Sequence, residues 1–142
     1  MNIDSLPYSI LYPSEDRDAF LHLATQLHDD YDPRCEDELQ IFNEILIASW
    51  LRKRYETVRT ALYTTKNGLA QNEPNSPRIP VVLDSIRRFQ MEVELQKRQV
   101  SSLRRQFRNL RAGFPVFRNE MNNAMTFEAS LKEARRVLAP AA

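Results

Sequence analysis

The stretch VLDSIRRFQMEVELQKRQVSSLRRQFRNLR, residues 82–111, decides the fold. Within it Val82, Ile86, Phe89, Val93, Gln96, Val100, Leu103, Phe107 and Leu110 follow one another at alternating spacings of four and three. A register kept for about four heptads is the seam of a coiled-coil-like helix packed on another helix. Gln96 is the polar member of the seam and reads as a register-setting residue. Gly113 and Pro115 end the helix, because one supplies a left-handed cap and the other cannot continue the ladder.

The partner for that seam lies upstream. Asp32 followed by Pro33 predicts an N-cap with proline in the first turn, and no breaker intervenes before KNG at residues 66–68, which predicts a C-terminal cap at Gly68. The resulting helix of about 34 residues would be about 50 Å long. Its first half is apolar almost all round, through Leu39, Ile41, Phe42, Ile45, Leu46, Ile47, Trp50 and Leu51, and should touch two neighbours. The second half narrows to Leu51, Tyr55, Val58 and Leu62 and should touch one. Residues 67–80, NGLAQNEPNSPRIP, contain three prolines and predict the connecting loop. Two helices of matched length then fold back as an antiparallel hairpin, with Leu62 at the level of Ile86.

Ser14, Glu15 and Asp16 predict the start of an earlier helix, from Glu15 to about Asp30, with Ser14 as its cap. Phe20, Leu23, Ala24 and Leu27 share one face, so this helix covers the hairpin. After Pro115, Ala124, Phe127, Leu131, Ala134 and Leu138 repeat the three-four pattern, with Asn123 or Thr126 as caps, and predict a fourth helix. The expected fold is all-α: an elongated antiparallel hairpin with an N-terminal cover helix and a C-terminal helix. It forms a single domain over residues 1–142, with a core over 13–112 and an extension over 113–142. Two glycines in 142 residues fit long helices better than sheets.

The near-neutral net charge of +1 hides an asymmetry. Lys and Arg against Asp and Glu number 2 against 11 over residues 1–48, 14 against 5 over 49–112 and 4 against 3 over the remainder. Lys97, Arg104 and Arg111 share one heptad position and Arg98 and Arg105 another; with Arg108 they form a basic stripe flanking the seam. One reading makes this stripe a phosphate-tracking surface for DNA or RNA. The preferred reading is structural, since the hairpin brings the arginine-rich end of the third helix beside Asp29, Asp30, Asp32, Glu36, Asp37 and Glu38. No aromatic residues interleave with the stripe as base stacking would require.

Chemistry is sparse. His22 and His28 are six residues apart, which does not put two ligands on one helix face, and no metal or cofactor site is expected. No glycine-rich phosphate loop and no G-x-S-x-G elbow is present, so neither a nucleotide site nor nucleophilic catalysis is expected. The lone Cys35 allows no intrachain disulfide. No apolar run reaches the roughly 18 residues of a membrane span, and the N-terminus lacks a secretory pattern, which together predict a cytoplasmic protein.

Three motifs stand in order: P-x-E-D-x-x-x-F at Pro13, Glu15, Asp16 and Phe20; A-x-W-x-R at Ala48, Trp50 and Arg52; and R-F-x-x-x-V-E at Arg88, Phe89, Val93 and Glu94. In this the chain resembles a group of short uncharacterised helical bacterial proteins over roughly residues 11–111. The resemblance implies the helical fold and no particular activity. The expected function is non-enzymatic, a helical protein-interaction or scaffold protein. A homodimer is expected through apolar surface near Tyr55, Val58 and Leu62, and nucleic-acid binding through the stripe is the alternative.

Overall fold

The computed structural model describes residues 1–113, and every regular element among them is helical. Three α-helices follow two single 3-10 turns at Ile3–Ser5 and Tyr8–Ile10: α1 over Arg17–Tyr31, α2 over Glu36–Asn72 and α3 over Arg78–Arg111. The chain divides into two compact units, Met1–Phe107 and Arg108–Ala142. In the second, the last turn of α3 closes with the Ala112 N–H on the Arg108 carbonyl at 2.9 Å and the Gly113 N–H on the Leu110 carbonyl at 3.0 Å. Gly113 sits at φ +83°, the left-handed conformation expected of a helix-ending glycine. The predicted fourth helix over Ala124–Leu138 lies outside the described residues.

In the first unit α2 and α3 form the antiparallel hairpin. Its seam is the one read from the sequence: Val82, Ile86, Val93, Val100, Leu103 and Phe107 are buried, with Phe89 and Gln96 half-buried. Leu62 packs with Leu69, Val82 and Ile86. Phe20 and Ala24 on α1 are fully buried, as are Ile41, Phe42, Ile45 and Leu46 on α2, so α1 covers the apolar half of α2. Edge-on ring pairs lock this layer, Phe20 to Trp50 at 5.3 Å and His28 to Phe42 at 5.7 Å. At the far end of α1, Tyr31 meets Phe107 of α3 at 5.1 Å.

Four boundaries differ from expectation. The helix α1 begins at Arg17, not Glu15: the Asp16 carboxylate, not Ser14, accepts the Asp18 N–H at 2.9 Å as the N-cap. Asp32 does not start α2. It adopts φ +45° as the left-handed C-cap of α1, its N–H reaching the His28 carbonyl at 2.8 Å, a conformation Asp tolerates better than most residues. Consequently α2 starts only at Glu36, after Cys35, which makes no side-chain cap. Buried Glu38 instead turns back to accept the Arg34 N–H at 3.1 Å.

Gly68 does not end α2, which continues to Asn72. Mid-helix glycine costs about 1 kcal/mol, whereas burying Leu69, which is 6% exposed, gains roughly 1.5–3 kcal/mol, so the helix runs on to place Leu69 in the hairpin core. The loop therefore shrinks to residues 73–77. Ser76 Oγ accepts the Arg78 N–H at 3.2 Å, and Pro77 and Pro80 fall where a helix start has amides to spare. The second half of α2 is also less bare than expected. Tyr55, Val58 and Leu62 are half-buried, Tyr55 with its ring 6.0 Å from Phe89.

Candidate interaction groove

Where the lead-in to α1 crosses α2, a charged pair sits inside the apolar stripe. Trp50, Arg54 and Val58 lie at four-residue spacing on one face of α2, and the Arg54 side chain is only 10% exposed. Burying a guanidinium requires satisfied donors. Its Nε donates to Glu15 Oε2 at 2.9 Å, and one terminal nitrogen donates to Glu15 Oε1 at 2.6 Å and to the Ile10 carbonyl at 2.7 Å. The forked geometry is the strong form of this interaction. The Tyr12 ring stacks over the guanidinium at 3.9 Å, and the Tyr12 N–H donates to Glu15 Oε1 at 2.8 Å. One arginine therefore pins residues 10–15 to the middle of α2.

The electrostatics follow from that geometry. Hydrogen bonding from Arg54 lowers the Glu15 carboxyl from 4.5 to about 2 against the opposing cost of burial, with further help from the Tyr12 N–H and from Trp50. Glu15 in turn pushes the Arg54 guanidinium up. The Trp50 indole N–H is buried near Glu15 but lacks a hydrogen bond of good geometry. Beside the pair opens a groove of about 640 Å³ whose walls are mainly apolar. Trp50, Tyr55 and Val58 of α2, Ala19 of α1 and Phe89 of α3 form its walls, and Tyr12, Lys53 and Thr57 stand exposed around it. Asp16 also lines it, and its carboxylate caps α1. Lys53 makes no ion pair with any described residue.

The basic stripe lies elsewhere on the surface. Arg98, Arg104 and Arg105 are exposed and join none of the ion pairs among the described residues, while Lys97 pairs with Glu94 at 3.2 Å along its own helix. The Tyr31–Phe107 contact at 5.1 Å brings the end of α1 against this part of α3. Arg108 and Arg111, both exposed, belong to the second unit. His22 is exposed and His28 half-buried against Phe42. Among the described residues no three His, Cys, Asp or Glu side chains gather as metal ligands, and no helix is long and apolar enough to cross a membrane.

Sequence reading missed the Glu15–Arg54 pair because its members are 39 residues apart. The available signal was Arg54 itself, a charge at a position where the Trp50, Val58 spacing calls for an apolar side chain. Glu15, Asp16, Trp50 and Phe89, quoted above from three separate motifs, all border the same groove. Compared with known proteins, the chain matches no family model, and neither a curated protein nor a solved structure is significantly similar to it.

Proposed function

We propose that this chain is a non-enzymatic helical interaction protein whose groove between the lead-in, α2 and α3 takes a bulky apolar side chain of a partner peptide. The observation that carries the reading is the contrast within the site. Its buried charges satisfy each other, and its apolar walls stay open. A carboxyl held at about 2 keeps its charge across the neutral range and is poorly matched to proton transfer there, which favours binding over catalysis. Apolar walls with a few placed polar groups are the usual make-up of a recognition site. Lys53, exposed and without an ion pair among the described residues, complements a carboxylate beside the anchoring side chain.

Selection from a random peptide library tests this. Enriched peptides should carry an aromatic or aliphatic residue near an Asp or Glu, and Lys53→Glu and Thr57→Arg, both at exposed positions, should each weaken them at least about tenfold. Peptides that bind both variants as well as the parent protein would refute the groove.

A second reading, that α3 engages the phosphates of nucleic acid, is favoured by one observation: Arg98, Arg104 and Arg105 are exposed and have no ion pair among the described residues. Tight binding to duplex or single-stranded DNA that falls steeply with salt and is lost in Arg98→Glu/Arg105→Glu would support it. Absence of binding at low salt would remove it.

A further inference from the structure

We propose that the outer face of α3, opposite its seam, docks against the same face of a second copy of this chain, antiparallel, with the two-fold axis passing beside Met91. On that face Met91 is 69% exposed and Leu95 50% exposed, four residues apart on one helix. Met91, Glu94, Leu95 and Arg98 border a hollow of about 300 Å³. Their spacing, i, i+3, i+4 and i+7, is that of the four residues that form a hole for the side chain of a neighbouring helix. The hollow is therefore shaped for a helix, and the occupant is set by charge.

Asp84, Met91 and Arg98 stand at seven-residue intervals and so fall on nearly one line along this face. All three are exposed, and neither Asp84 nor Arg98 has an ion-pair partner among the described residues. A two-fold axis beside Met91 sets Asp84 of each copy against Arg98 of the other and brings the two Met91 side chains together. The same operation carries Arg87 to Glu94, whose contact with Lys97 is exposed and at 3.2 Å. A parallel pairing would instead set Arg98 on Arg98, Arg87 on Arg87 and Asp84 on Asp84, so the charge order selects the antiparallel arrangement. One helix pair buries less than the roughly 1,200 Å² of a standard complex, and the expected affinity is micromolar.

The test uses the full chain. Sedimentation equilibrium should show a monomer–dimer equilibrium. Asp84→Arg or Arg98→Asp, each altering two symmetric contacts, should weaken it about tenfold, and the double variant should restore it. Rescue by the double variant separates a broken contact from a damaged fold. In a Cys35→Ser background, which removes the exposed native thiol, Met91→Cys should oxidise to a covalent dimer, and Leu83→Cys, off the line, should not. A monomer at high micromolar concentration would overturn the proposal. So would a dimer indifferent to both charge reversals, or one in which Met91→Cys fails to cross-link.

Discussion

Replacing Glu15 with Gln keeps the shape of the side chain and removes the charge that Arg54 is folded around. Lowering the carboxyl from 4.5 to about 2 corresponds to at most about 3.5 kcal/mol of stability at neutral pH, taking about 1.4 kcal/mol per pH unit. The Glu15 side chain keeps 16% of its exposure beside an open groove, so solvent screening reduces the realised value to about 1–2 kcal/mol. The sign is fixed by the direction of the change. A carboxyl whose folded-state value is depressed stabilises the fold above about 4.5, and that contribution drains away as the pH falls from 4.5 towards 2. Urea unfolding followed by far-ultraviolet circular dichroism, at pH 7 and at intervals down to pH 2.5, measures both proteins. At pH 7 Glu15→Gln should be about 1–2 kcal/mol less stable, a fall in Tm of roughly 3–4 °C per kcal/mol for a chain of this size. The gap should close as the pH approaches 2. A gap of the same size at pH 2.5 and pH 7 would show that the glutamine disturbs packing, and would refute the assignment of the stability to the ion pair.

Gly68→Ala should raise the unfolding free energy by about 0.5–1 kcal/mol, since the position is inside α2 and an added Cβ meets nothing within 4 Å; a thermal melt checks it. Leu69→Ala should cost about 2–4 kcal/mol by emptying the cluster with Val82 and Ile86, read as a lower urea midpoint. Cys35→Ser should add up to about 1 kcal/mol, because serine supplies the N-cap hydrogen bond that α2 lacks, and the same substitution should abolish the rapid reaction of the native protein with a thiol reagent.

Periodicity over many residues was legible, and single-residue punctuation was not. The α3 seam emerged from the sequence because eight of its nine positions are apolar, and one polar residue cannot move the result. Asp32 could equally cap the helix before it or the one after it, and only the backbone geometry at φ +45° resolves the ambiguity. Gly68 reads locally as a stop, but the burial of Leu69 one residue later outweighs it, and that burial exists only once α3 has folded back. The lead-in before α1 has no periodicity at all. Leu6 is buried, Tyr8 lies 5.8 Å from Phe20, and Arg17 stacks on Tyr8 at 4.0 Å, none of which a helical or strand pattern announces. The candidate groove was hidden for the same reason: its polar pair is joined through space, although a lone arginine in an apolar stripe marks where to look.

The strap held by Arg54 also has a bearing on the order of events as the chain leaves the ribosome. Every side chain and carbonyl that satisfies the guanidinium, at Ile10, Tyr12 and Glu15, is synthesised first and must wait about 40 residues for its partner. Apart from that partner, the residues before α1 are held to it by Tyr8, which meets Phe20 and Arg17. All members of this cluster lie between Ile10 and Arg54, so it draws on no residue of α3. A fusion or truncation that disturbs residues 10–15 therefore strips the buried guanidinium of its partners while leaving the hairpin seam itself untouched.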